Sequence, residues 1–217
     1  MFYKCNGEAF DVLESIYPLR GSDAKCITHF VHLVQDLRTQ EELNSLTRLA
    51  FHDSLTGLPN RNLLNDRLER TLLAARRKHT MFALLYIDID GFKQINDAFG
   101  HAAGDELLRR FAARLARALR RSDTVGRWGG DEFIALFEDI DDKQAAIRVG
   151  RELMRFCDAP YSLCGKPRRV TVSVGMSFYP RDGDSIQALL DVADRAMYAA
   201  KDAAKHGRLT ATASQRT

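Results

Sequence analysis

The stretch MFALLYIDID, residues 81 to 90, constrains the fold of this 217-residue chain more than any other. Seven apolar residues in a row end in two carboxylates separated by one isoleucine. The run is far short of the roughly 20 residues of a membrane span, so it reads as a buried strand, predicted over Met81 to Asp88. Period two then sets Asp88 and Asp90 on the face opposite Ile89. A strand this apolar needs partners. Thr124 to Trp128 and Glu132 to Phe137 supply two, joined across Gly129-Gly130, because glycine accepts the positive φ of a tight hairpin turn.

Helical patterns fill the intervals. After the turn-like SLTGLPNR (54 to 61), Asn62 to Lys78 carries Leu64, Leu68, Leu72 and Ala75 on one face. Phe92 to Leu119 is helical with a break near Gly100 and Gly104. A helix over 141 to 157, a small hairpin from Tyr161 to Tyr179 around Gly165-Lys166, and a last helix over 185 to 204 follow. The order β, α, β-hairpin, α, β predicts an α+β fold, a ferredoxin-like split βαβ sheet with helices on one face. Upstream, FDVLESIYPL and CITHFVHLVQD read as strands flanking a GSDAK turn, so residues 1–36 are β-rich. Residues 37–52 form a linker helix with a narrow apolar seam at Leu43, Leu46 and Ala50. At about 150 residues per domain the chain amounts to one and a half domains. Accordingly 53–208 is one complete unit, 209–217 a tail, and the upstream part a fragment of a longer or degraded domain.

Apolar residues make up 45% and charged residues 28%, the mix of a soluble globular protein. The balance of 32 − 29 = +3 gives no bulk-charge argument for nucleic acid or an anionic membrane as partner. Arg110, Arg114, Arg117 and Arg121 form a basic stripe opposite Leu108, Phe111, Leu115 and Leu119; without interleaved aromatics it makes no case for nucleic acid, and a solvated helix face stands as the plain alternative to a binding role nearby. No signal peptide or membrane segment is present in the pattern, and Cys5, Cys26, Cys157 and Cys164 have no metal-site or C-x-x-C spacing. Reduced thiols in a cytoplasmic protein are expected.

In a split βαβ sheet the first strand pairs antiparallel with the second hairpin strand, which brings Asp88 beside Asp131 and Glu132. Carboxylates converging at a strand end repel one another unless cations neutralise them, and hard oxygen ligands suit Mg²⁺. A Mg²⁺ site handling a polyphosphate follows. Lys93 lies within reach of phosphate. Asn96 and Asp105 are short polar groups near the glycine break. A carboxylate there accepts from N1–H and N2–H₂ of guanine, a donor pair adenine lacks, which selects GTP over ATP; either residue also suits a helix cap.

Taken together, YIDIDGFKQINDAFGHAAGDELL and RWGGDEF resemble the GGDEF-domain diguanylate cyclases, which condense two GTP molecules into cyclic di-GMP and release two pyrophosphates. The likeness runs from HDSLTGLPNR to about Lys205. It implies a fold related to nucleotidyl cyclase and polymerase palm domains. It also implies roles: Asp88, Asp131 and the Ile89 carbonyl as ligands to Mg²⁺ or Mn²⁺; Glu132 as a further catalytic acid; Asn96 and Asp105 at the guanine; Lys93 and Lys201 at the phosphates; Phe92 and Lys205 among the other substrate-binding residues. The proton of the attacking 3′-hydroxyl has three candidate acceptors, Asp131, Glu132 and a hydroxide at the metal. In the family's last helix a Gly and an Arg usually stand where this chain has Ala204 and Lys205; Lys keeps the charge without the bidentate fork, so weaker triphosphate affinity is expected. Arg208 stands near but out of register. Arg120 and Asp123 match the family's R-x-x-D product-inhibition site, with Arg151 as a second arginine. Residues 1–36 resemble the C-terminal part of a PAS sensor domain.

Because each 3′-oxygen must reach the other nucleotide's α-phosphate, the implied enzyme works as a homodimer. Two alternatives compete: a catalytically silent GGDEF module that senses GTP or cyclic di-GMP, and a mononucleotide cyclase of related fold.

Overall fold

A computed structural model of the chain describes residues 2–3, 9–10, 12–20, 27–36, 38–120, 122–140, 142–163 and 165–205. The chain divides into two units, Met1–Ala50 and Phe51–Thr217. In the first, β1 (Phe2–Tyr3) pairs with β2 (Ala9–Phe10), and β3 (Val12–Arg20) runs antiparallel to β4 (Ile27–Asp36) with Val12 opposite Asp36. The expected GSDAK turn, Cys5 and Cys26 lie outside the described residues. The linker is helical: α1 (Arg38–Phe51) exposes Leu46, Leu49 and, at its end, Phe51.

The second unit opens with α2 (Arg61–Lys78), whose start is fixed by Asn60: its Oδ1 accepts from the backbone N–H of Asn62 at 3.0 Å and of Leu63 at 3.1 Å. Arg76, Arg77 and Lys78 in the last turn oppose the helix dipole. There follow β5 (Met81–Ile89), α3 (Phe92–Phe99), α4 (His101–Ala118), β6 (Thr124–Gly129), β7 (Glu132–Ile140), α5 (Lys143–Cys157), β8 (Tyr161–Leu163), β9 (Lys166–Arg168), β10 (Val172–Tyr179) and α6 (Ile186–Lys205). The main sheet has the order β10-β5-β7-β6, antiparallel throughout. In order of appearance that is 4-1-3-2, the split βαβ arrangement expected from the sequence.

Helices cover both faces of this sheet, not one. Ala83, Leu85, Ile87 and Ile89 pack with Leu107, Leu108, Phe111 and Leu115 of α4 and Leu153 of α5, while Phe82, Leu84 and Tyr86 pack with Leu64 and Leu68 of α2 and Leu189, Ala193 and Met197 of α6. The unbroken apolar run of β5 is the consequence, since neither of its faces meets water. Each fully buried Leu or Ile there contributes about 2 kcal/mol.

One further expectation needs correction. The segment from Tyr161 to Tyr179 is not one hairpin: β8 and β9 pair with each other, and β10 joins the main sheet along β5. Strand pairing over this distance is set by topology, to which local pattern is blind. The basic stripe of α4 is not simply solvated. Arg114 caps the end of α5, donating to the carbonyls of Cys157 (3.3 Å), Ala159 and Pro160 (2.8 Å), and lies 3.8 Å over the Tyr161 ring. Arg110 pairs with Glu106 at 2.5 Å. Arg121 lies outside the described residues. Cys157 is a buried free thiol, pushed up to about 12 by burial; Cys164 is not among the described residues.

Candidate active site

The carboxylates meet at one end of the central strand pair. Asp88 stands opposite Glu132 on β7 and opposite Ser173 on β10, and the Ile89 N–H donates to the Asp131 carbonyl at 3.3 Å. The turn between β6 and β7 is Gly130-Asp131, one residue later than the pair expected, since Gly129 still pairs with Glu132. Gly130 takes φ +50°, which glycine tolerates best. Asp131 therefore sits at the tip of the hairpin and Glu132 at the first position of β7.

Asp88 is only 6% exposed. A carboxylate so buried requires a counter-charge, and α6 provides it: Lys201 Nζ donates to Asp88 Oδ1 at 2.6 Å. Burial pushes the Asp88 carboxyl above its ordinary value; the Lys201 hydrogen bond offsets part of this, and Asp131 and Asp90 add to it. Lys201 is itself raised, burial being outweighed by Asp88. Burial likewise raises Glu132, against a hydrogen bond with Tyr86 and with the charges of Asp88, Asp131 and Asp194 adding to the rise. Tyr86 is raised by burial and by Glu132. Asp90 accepts from Ser173 Oγ at 2.7 Å.

Asp88, Asp131 and the Ile89 carbonyl are hard oxygen donors at one strand end, a set that fits Mg²⁺ or Mn²⁺ in kind. Among the described residues, no three His, Cys, Asp or Glu side chains are grouped as a ready-made metal cage. A Mg²⁺ site of this type takes its remaining ligands from water and substrate phosphates.

The second cluster lies at the α3–α4 corner. The caps of α3 and α4 are Gly91 and Gly100, so neither Asn96 nor Asp105 serves as a helix cap. Gly104 lies inside α4, not at a break. A Cβ there would stand 1.9 Å from Asn96 Oδ1 and 3.1 Å from Phe92 Cζ. Phe92 and Asn96 therefore reach across to α4 beside Asp105. Asn96 Oδ1 is buried against Gly104 with no hydrogen-bond partner, an acceptor that is costly to leave unmet. Lys93 is exposed on the first turn of α3. The side chain of Lys205, like Arg208 and the tail beyond it, lies outside the described residues.

Of the residues expected at the inhibitory site, Arg120 and Arg151 are exposed. Asp123 closes a turn, its carboxylate accepting from the Arg120 N–H at 3.3 Å, and burial raises its pKa.

Tyr86, Ser173 and Gly104 were not readable as site residues, because each acquires its role from a partner on another element. The glycine of GHAAGDELL was visible; the side chain it accommodates was not.

A profile of the family described as "Diguanylate cyclase, GGDEF domain" matches residues 50–207. The chain belongs to this family. The bifunctional diguanylate cyclase/cyclic di-GMP phosphodiesterase MucR of Pseudomonas aeruginosa is 44% identical over 162 residues, 75% of this chain and 24% of its own length. The diguanylate cyclase TpbB of the same organism is 42% identical over 172 residues, 79% of this chain and 40% of its own. The chain thus spans a quarter to two-fifths of these relatives. A solved structure comprising only the GGDEF domain of TpbB superposes with a TM-score of 0.67 at 43% identity, covering 70% of this chain and 88% of that one. The GGDEF fold is shared, and no helix among the described residues is long and apolar enough to cross a membrane.

Proposed function

We propose that the unit beginning at Phe51 condenses two GTP molecules into cyclic di-GMP with release of two pyrophosphates. The observation that carries this is the placement of Asp88 at the end of β5, opposite Glu132 on β7 and next to the residue whose N–H donates to the Asp131 carbonyl, with Phe92 and Asn96 on the helix that follows. Asp105 accepts from N1–H and N2–H₂ of guanine, and Asn96 Oδ1 accepts a further donor of the base. Lys93 and the end of α6 hold the triphosphate. Asp88, Asp131 and the Ile89 carbonyl hold Mg²⁺ or Mn²⁺, which neutralises phosphate charge when bound. Glu132, raised by burial, sits closer to the operating range of a general base than an ordinary carboxylate. The Tyr86 hydroxyl fixes its direction.

Each such site holds one nucleotide while the product joins two, so the active form is a homodimer with two domains facing across a two-fold axis. Product inhibition is assigned to Arg120, Asp123 and Arg151, with arginine suited to stacking on guanine and gripping phosphate.

The purified chain incubated with GTP and Mg²⁺ is expected to release pyrophosphate and form a cyclic dinucleotide, with Asp131→Ala at least about a hundredfold slower. Calorimetric binding of GTP without any turnover would instead establish a silent sensor and sink the proposal.

A further inference from the structure

The turn that presents Asp131 is unpacked. An added Cβ at Gly129 or Gly130 would meet nothing within 4 Å, so both glycines face open space, and besides the ladder pairing of Gly129 with Glu132 the backbone of the turn is held by the Ile89 N–H on the Asp131 carbonyl at 3.3 Å. Arg127 Nε and Nη2 both donate to the Gly130 carbonyl, at 2.9 and 2.7 Å. The remaining nitrogen, Nη1, donates to both oxygens of Asp53 at 3.1 Å. Asp53 is fixed in turn by Thr56, whose N–H and hydroxyl donate to its Oδ1 at 2.8 and 2.6 Å. Burial pushes the Asp53 carboxyl up, but the Thr56 and Arg127 hydrogen bonds outweigh it and leave it below the ordinary value.

The same segment grips the strand behind Arg127. The Arg127 N–H donates to the Pro59 carbonyl at 2.9 Å, and a Cβ at Gly126 would stand 2.5 Å from that oxygen. Asn60 N–H closes the segment onto the carbonyl of Phe51, the last residue of α1, at 2.9 Å. Asp53 and Arg127 are 20% and 15% exposed; they border a cavity of about 350 Å³ with Arg61 and Trp128. The pair is thus shielded more than a surface ion pair.

We infer that Arg127 is a positioning residue for the reaction, a strap that ties the Gly130-Asp131 turn to the 51–60 segment through Asp53 and so sets how Asp131 is presented. This rests on the cyclase assignment above. The guanidinium is needed for its fork: one edge holds the carbonyl and the third nitrogen the carboxylate, a geometry lysine cannot reproduce.

The test uses the full chain with Arg127→Lys, Asp53→Asn and the double variant, read by steady-state kinetics and by hydrogen exchange of the peptide spanning the turn. Each single variant is expected to lower kcat about tenfold or more with KM for GTP within roughly twofold. Exchange at the turn should rise about tenfold while the amides of β5 stay protected. The double variant should be no slower than the worse single one, since both act through one contact. Unchanged kcat, unchanged exchange at the turn, additive losses, or exchange rising equally throughout the unit would each overturn the strap. If the wild-type chain were inert with GTP, the cyclase assignment would fail, while the exchange comparison would still decide whether Arg127 holds the turn.

Discussion

Gly104 occupies a position where alanine would be the better helix former by about 1 kcal/mol, yet its missing methyl is what lets Asn96 lie against α4. Gly104→Ala is therefore expected to leave helix content and melting temperature nearly unchanged while raising KM for GTP about tenfold, measured by circular dichroism and steady-state kinetics. Unchanged KM would remove Asn96 from the guanine site. At this scale the sequence was legible where position depends on the local pattern: Asp88, Asp131 and Glu132 stood out as acids at strand ends and the hairpin turn, while Asn96 and Asp105, read as lying near a glycine break, fall inside α3 and α4. It was illegible where a role depends on a neighbour distant in the chain. Nothing within a few residues of Gly104 announces an asparagine on the preceding helix, and nothing near Tyr86 announces Glu132 across the ladder. Ala204 and Lys205, by contrast, are departures visible in sequence alone.

Between β10 and α6 the approach is closer still. A Cβ at Gly175 would lie 1.9 Å from the Ala193 carbonyl and 2.3 Å from the Met197 nitrogen, backbone atoms that cannot swing aside. Gly175→Ala is expected to destabilise the unit by about 3 kcal/mol, seen as a lower denaturant midpoint at unchanged slope. Because α6 carries Lys201, any survivor should also hold Asp88 less well. A wild-type midpoint would mean that helix and strand are less tightly docked than described. The element order was read correctly from periodicity, whereas the second helical layer was not. The seven-residue apolar run of β5 does contain that information, since a strand with one wet face would alternate. The β10 pairing is different in kind: its short β-type pattern is compatible with either a local hairpin or a distant partner, and only closure of the whole sheet decides.

For the molecule as a whole, the proposed chemistry is second order in protein, because each chain would bring one nucleotide to the reaction. Leu46 and Leu49 are 63% and 65% exposed on α1, an apolar pair one turn apart that the proposed homodimer could bury. Pyrophosphate released per protomer should fall on dilution through the dimer dissociation range, and Leu46→Glu with Leu49→Glu should move that range to about tenfold higher concentration. Specific activity independent of concentration would rule out assembly as the limiting step. The contact between Lys201 and Asp88 carries a separate consequence for how the unit comes into being. The two residues are 113 positions apart, one on an early strand and the other near the end of the last helix. While the chain is still being made, β5 can leave the ribosome and begin to pair, but its buried carboxylate has no partner until α6 arrives. Synthesis thus delivers the neutralising charge last, after all four strands of the sheet have been made and nearly the whole unit has been translated.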